Sequence, residues 1–283
     1  MDATFYSTHS PMSDPGKHAD RYDSLPANVA ELCEAIQGLI IHVFHASKYG
    51  VTVPEETMTT DLILYPLEAM LDRILEIDPS PLETTREPER RLVGSCRDYA
   101  LLLCSVLRHR GVPARIRVGF ETYFHKNRFG DHWVCEYWRE DAQRWTLVDA
   151  ELDALHREAF DVMFDPQDLP EDAFIVSGEM WRRCVDGRVD PGLCGMLNTW
   201  GMAYVRGNLV RDVICLSKVE NFPWDGAPLT LKPDDDVTAA DLALLEYLAD
   251  ITSPEVRIPE VVAAYETHAE LHAQRLPLEE APA

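Results

Sequence analysis

The chain has 283 residues, 46% of them hydrophobic and 27% charged, with a formal net charge of −23. The length supports one large domain or a domain with an extension, and the composition is that of an ordinary globular protein. So acidic a chain repels phosphate backbones, which argues against a nucleic-acid partner, and no apolar run approaches the roughly 20 residues of a membrane-spanning helix.

The opening Met1-Asp2-Ala3-Thr4 lacks the basic and then apolar pattern of a signal peptide, so a cytoplasmic protein with no membrane partner is expected. Residues 1–25 are polar and read as a tail or an ordered arm. Over residues 27–47, Leu32, Cys33, Ile36, Leu39, Ile40 and Val43 fall at helical spacing, which predicts a helix. A second helix is expected over 61–77, stopped by Asp78-Pro79-Ser80-Pro81, with a charged loop over 82–93. The next helix runs from Cys96 to about His109. Ser95 is its natural N-cap and Asp98 its capping-box partner, and Gly111 and Pro113 end it.

Three strands are predicted next: Ala114 to Thr122, His132 to Arg139, and Arg144 to Asp149. The last two are joined by a short polar turn, as a hairpin requires. After Asp149 the strand signal fades, and helices are expected over 171–186, about 199–217, 237–250 and 258–275. Helices, a short antiparallel meander and more helices make an α+β fold.

Cys96 heads its helix, where unpaired N–H groups and the helix dipole favour a thiolate. His132 and Asp149 lie on adjacent predicted strands with compatible faces, so hairpin pairing can bring the carboxylate against the imidazole and fix its tautomer. The Cys96 N–H could also serve a developing oxyanion. Taken singly each residue has a plainer reading: a buried small hydrophobe, a strand-edge histidine, a turn cap. Together, in this order, they are the parts of a thiol nucleophile with its base and orienting acid.

The runs Gly94-Ser95-Cys96-Arg97-Asp98-Tyr99-Ala100, Leu107 to Arg115, Asp131-His132-Trp133-Val134-Cys135-Glu136-Tyr137 and Trp145-Thr146-Leu147-Val148-Asp149 resemble the transglutaminase-like core. The resemblance covers roughly residues 92–152. It implies a papain-like fold in which the cysteine helix packs on an antiparallel sheet. It also implies Cys96 as nucleophile, His132 as general base and acid, and Asp149 as the orienting carboxylate. The domain would span residues 26–226, followed by a helical extension over 227–283. The calcium loops of animal transglutaminases and the zinc-binding cysteine pairs of the glycanases are not found, so no cofactor and no metal are expected. The family's second oxyanion donor, an aromatic or amide side chain upstream of the cysteine, has no motif that aligns here, and Tyr65 lies at a plausible distance on position alone.

The expected reaction is acyl transfer through a Cys96 thioester, most simply hydrolysis of an amide or peptide bond. An amide-forming or amide-exchanging acyltransferase using an amine acceptor is the alternative. A non-catalytic binding module on the same fold is a third reading, which the intact Cys96, His132 and Asp149 disfavour. The partners expected are an amide- or ester-bearing substrate and a water or amine acceptor. The acidity reads as a solubility feature, or more sharply as a preference for cationic partners.

The seven cysteines are scattered and odd in number, and no C-x-x-C pair exists, so neither a disulfide framework nor a zinc ribbon is expected. His42 and His45 lie at i, i+3, and His268 and His272 at i, i+4. Neither pair has a third ligand in the sequence, so both are read as ordinary histidines. The stretch from Gly195 to Asp212 packs aromatic, small and polar groups together. It reads first as a buried helix with paired polar contacts, and second as a wall of the substrate cleft. Trp133 and Trp138 read as core before cleft.

Overall fold

The computed structural model describes residues 3–275. The chain divides into two compact units, one made of Ala3–Ile116 and Val134–Leu169, the other of Arg117–Trp133 and the chain from Pro170 on.

In the first unit, helix α1 covers Val29–Gln37 and is capped by Asn28, whose Oδ1 accepts the Ala30 N–H at 2.8 Å. It is shorter than the helical spacing predicts. The chain turns at Gly38, and strand β1, Ile40–His42, pairs in parallel with strand β2, Leu92–Gly94, in the register Ile40↔Leu92. The Ile40-Ile41 run suits a buried strand as well as a helix face, and its long-range partner lies in a stretch that reads as a charged loop. Helix α3, Leu67–Ile77, takes the later part of the helix predicted over 61–77, and a separate helix α2, Glu55–Asp61, precedes it. Pro66 stands between them in extended backbone as the N-cap of α3, and it has no N–H with which to continue α2.

Helix α4, Cys96–His109, is the centre of this unit, and every residue from Cys96 to Arg108 is buried. A helix buried on all sides needs cover on all sides. Part of that cover is the N-terminal segment, whose 3-10 helices Ala3–Ser7 and Gly16–Ser24 bury Tyr6 and Tyr22. Tyr22 Oη lies 3.0 Å from Ser105 Oγ, which donates to the Ser13 carbonyl at 2.7 Å, and Arg108 donates to Ser13 Oγ at 2.9 Å. The helix ends as expected, with Gly111 in the left-handed region at φ 73° and the Val112 N–H on the Leu107 carbonyl.

Strand β3 is Ala114–Glu121, β4 is Phe129–Arg139 and β5 is Arg144–Val148. β4 and β5 pair antiparallel from Cys135↔Val148 to Arg139↔Arg144, the predicted hairpin. The cysteine helix lies against it, with Cys104 Sγ 3.2 Å from Cys135 Sγ. Helix α5, Ala154–Ala159, follows with Asp153 as its cap, the Oδ1 accepting the His156 N–H at 2.8 Å.

β3 and β4 each run on into the second unit. There β6, Phe174–Val176, pairs antiparallel with β3, and β7, Cys194–Met196, pairs in parallel with the start of β4. Strand β8, Thr199–Trp200, pairs antiparallel with β7. These strands of two or three residues take the starts of segments that read as helices, since so short a run carries no period. Helix α6, Ser177–Val185, and helix α7, Met202–Leu216, pack on each other and on helix α9, Ala239–Thr252. The short helix α8, Pro228–Leu231, lies on α7. Helix α10 is Ile258–Thr267, so the helix expected over 258–275 ends early, and His268 and His272 lie beyond it. The end of the predicted extension, residues 276–283, lies outside the described residues. Most buried polar groups of α7 have partners: Asp212 accepts Arg117 Nη2 at 2.9 Å and the Val118 N–H at 2.8 Å. The α+β class stands, with a sheet that extends beyond the predicted meander.

Candidate active site

Cys96 is the first residue of α4 and is nearly buried, so its thiol sits beside first-turn N–H groups that have no acceptor within the helix. Asp98 fixes that end. Its Oδ2 accepts the Ser95 N–H at 2.8 Å and the Ser95 hydroxyl at 3.2 Å. A carboxylate so near a thiol would oppose a thiolate, but Arg97 offsets it, donating from Nη1 to Asp98 Oδ1 at 3.0 Å. The same fully buried guanidinium donates from Nη2 to the Tyr65 carbonyl at 2.8 Å. Arg97 therefore ties the loop carrying Tyr65 to the mouth of the cysteine helix, a link that position in the sequence only hinted at.

Asp149 belongs to the same unit and follows β5 directly. Its backbone is anchored by its N–H on the Pro166 carbonyl at 2.9 Å, and its Oδ1 accepts the Glu151 N–H at 2.9 Å. Both contacts hold the carboxylate in a tight turn, and the residue is 2% exposed.

His132 lies on β4 in the other unit and is 3% exposed. Tyr123, Phe124 and Phe174 meet its ring edge-on, with centroids 5.9, 5.4 and 6.5 Å away. The loop that presents Tyr123 and Phe124 is shaped by Glu121. Its fully buried carboxylate accepts the N–H of Tyr123 at 2.6 Å and of Phe124 at 2.5 Å, and meets His125 Nδ1 at 2.6 Å. Gly130 makes room for this: a Cβ there would lie 2.1 Å from Glu121 Oε1. On the other side of the strand, Asp131 accepts Asn208 Nδ2 at 2.7 Å and the Tyr204 hydroxyl at 3.2 Å. Burial pushes the Asp131 carboxyl above its usual range, and the partners on α7 partly offset it.

Sequence reading missed Glu121, Tyr123, Phe124 and Phe174 as neighbours of the histidine. A carboxylate turning back on its own loop leaves no periodic mark in the sequence. The Gly195–Asp212 stretch was legible as a buried polar helix, and Tyr204 and Asn208 give it a function in holding the residue next to His132. Trp133 is 2% exposed and packs as core.

Among the other thiols, burial pushes Cys33 and Cys135 up. Cys184 is held below its ordinary value by a hydrogen bond from Cys194, which is raised in turn. Of the two histidine pairs, His268 and His272 do not share a helix, and His272 Nε2 meets the Tyr265 carbonyl at 2.8 Å. His42 and His45 do gain company: the fold brings Glu151 to them, and donor atoms of all three lie within 4.8 Å of one another.

The family model of the Transglutaminase-like superfamily matches residues 74–150. This segment is similar to the transglutaminase-like core. It contains Cys96, the cysteine helix, β3, β4 and β5, and it closes on Asp149 and Ala150. At that level the match supports cysteine-based catalysis in general. A solved structure of a putative cysteine protease from Cytophaga hutchinsonii is similar over 53% of this chain and 43% of that one, with 19% identity and a TM-score of 0.32. No curated protein matches the chain. Among the described residues no helix is long and apolar enough to cross a membrane.

Proposed function

We propose that this protein hydrolyses an amide or peptide bond through a thioester on Cys96, with His132 as general base and acid and Asp149 as the carboxylate that orients the imidazole. The Cys96 thiolate attacks the carbonyl carbon and the tetrahedral intermediate collapses. The C–N bond breaks as His132 gives its proton to the leaving amine, leaving the acyl group on sulfur. His132 then takes a proton from water, the hydroxide adds to the thioester, and the C–S bond breaks to release the acid and restore the thiol. Water is the acceptor that needs no binding site of its own, whereas transfer to an amine needs a cleft that keeps water out.

The observation that carries the reading is Cys96 at the first position of α4, inside the matched segment, with its neighbouring carboxylate neutralised by Arg97. The Cys96 N–H and the Tyr65 side chain are the proposed oxyanion donors.

Alkylation with iodoacetamide near pH 6, mapped by mass spectrometry, tests the thiolate. Cys96 is expected to label at least about tenfold faster than Cys33 and Cys135, because only a lowered pKa leaves thiolate at that pH. His132→Ala should abolish the excess, and a Cys184→Ser background removes the other lowered thiol. Equal rates at Cys96 and Cys33 would refute the activated nucleophile. Incubation with peptide pools and an added amine then separates the outcomes. Free acid supports hydrolysis, amine adducts replace it by acyl transfer, and no acyl-Cys96 with any pool leaves a binding module.

A further inference from the structure

We propose that His45, Glu151 and His156, with His42 beside them, form a binding site for one divalent first-row transition ion, of which zinc is the probe of choice. All four belong to the first unit. His42 ends β1, His45 follows in the next turn, Glu151 stands just past Asp149, and His156 lies on α5.

The geometry comes first. His45 Nδ1 lies 2.8 Å from Glu151 Oε1 and 3.0 Å from His156 Nε2, and His156 Nε2 lies 3.8 Å from Glu151 Oε1. Ligands about 2.0–2.1 Å from a tetrahedral zinc ion stand roughly 3.3 Å from one another, so the triangle is already close to the size an ion requires. His42 Nε2 reaches to 4.0 Å from Glu151 Oε2 and could complete the set.

The hydrogen bonds around the triangle set the ring nitrogens. Asp153 Oδ1 lies 2.9 Å from His156 Nδ1, and Tyr49 donates to Asp153 Oδ2 at 2.6 Å. A carboxylate only accepts, so the neutral His156 ring carries its proton on Nδ1 and turns the Nε2 lone pair toward His45 and Glu151. This is the carboxylate–histidine arrangement that orients metal-bound imidazoles. The short His45–Glu151 contact places a proton on His45 Nδ1, between three donor atoms. A divalent ion would take the place of that proton: a neutral His45 ring would then carry its proton on Nε2, and a charged ring would release one proton to solvent.

The surroundings favour an ion over a plain ion pair. Glu151 and His156 are 1% and 0% exposed, and Phe160 stacks on the His156 ring with the planes 8° apart. Phe44 flanks His42. An apolar shell of this kind strengthens metal–ligand bonds. The His45 side chain is 14% exposed, which leaves an entry path. Imidazole and carboxylate together suit zinc, iron, cobalt or manganese, and a site with so few oxygens does not suit calcium or magnesium.

The test is independent of the acyl chemistry, since its readout is binding. The full chain is stripped with chelator and titrated with Zn²⁺ by calorimetry, and Co²⁺ is followed by its visible absorption. One ion per chain is expected, with micromolar or tighter affinity and a d–d band for cobalt, and no competition from a large excess of Mg²⁺. Glu151→Gln and His45→Gln should each weaken binding at least about tenfold, and Asp153→Asn about 10–100-fold through His156. His45→Gln, at the partly exposed position, is the variant that keeps the fold if Glu151→Gln does not. Less than one equivalent bound by the wild type at 100 µM Zn²⁺ overturns the proposal, as does unchanged affinity in a folded His45→Gln.

Discussion

At Glu121 one carboxylate, fully buried, closes two backbone N–H groups and a histidine ring into the loop that faces His132. Charge-assisted bonds of this kind are about twice as strong as neutral ones, and a buried donor left without an acceptor costs about 1–3 kcal/mol. Glu121→Gln keeps the shape but offers an NH₂ to donors. Urea denaturation should show a loss of about 1–3 kcal/mol. If His132 serves Cys96 as proposed and the Tyr123 and Phe124 rings hold it in place, the same variant should slow alkylation of Cys96 while leaving Cys184 unchanged. A variant that loses stability without that selective slowing would make Glu121 a structural residue alone. Sequence could not have singled it out, because its partners are its own next neighbours and it ends a strand that already carries the charges of Arg115 and Arg117.

Helix α9 carries a capping box that is legible in sequence, and also a pH dependence that is not. Thr238 is the cap, and Asp241 Oδ2 accepts the Thr238 N–H, the Thr238 hydroxyl and Lys232 Nζ, each at 2.7 Å. The Lys232 bond above all, with the two from Thr238, holds the Asp241 carboxyl down to about 2. A depressed carboxyl contributes stability that is complete above its unfolded value, near 4, and is lost as pH falls through the folded value. The midpoint of thermal unfolding should therefore drop between about pH 4 and pH 2, and Asp241→Asn should remove part of that drop. At neutral pH the variant should cost about 0.2–1 kcal/mol, the range of a partly exposed ion pair such as the one with Lys232. Equal pH profiles for the two proteins would refute the assignment. α4, the β4–β5 hairpin and α9 were legible because caps, terminators and period all lie within each segment. β1, β2, β6, β7 and β8 were not, since runs of two or three residues owe their strand state to distant partners. The candidate nucleophile, base and carboxylate were legible for the first reason, and the Glu151 contact of His42 and His45 was hidden for the second.

For the molecule as a whole the decisive quantity is its charge. Acidic residues outnumber basic ones 49 to 26. Several arginines are spent on buried partners, Arg97 on Asp98, Arg115 on Glu136 and Arg117 on Asp212, so they do little to balance the surface. The remaining surface charge repels itself in the folded state more than in the expanded chain. Salt should weaken that repulsion, because the screening length falls from about 30 Å at 10 mM to about 8 Å at 150 mM. It also weakens exposed ion pairs such as Lys17–Asp72, but pairs open to solvent contribute little. Repulsion among many unpaired carboxylates is summed over the whole surface, so its relief should win. The expected outcome is a thermal midpoint that rises from 10 to 150 mM sodium chloride at pH 7.5 and levels off above it. A midpoint that falls over that range would mean that local ion pairs, rather than net charge, govern the stability of this chain.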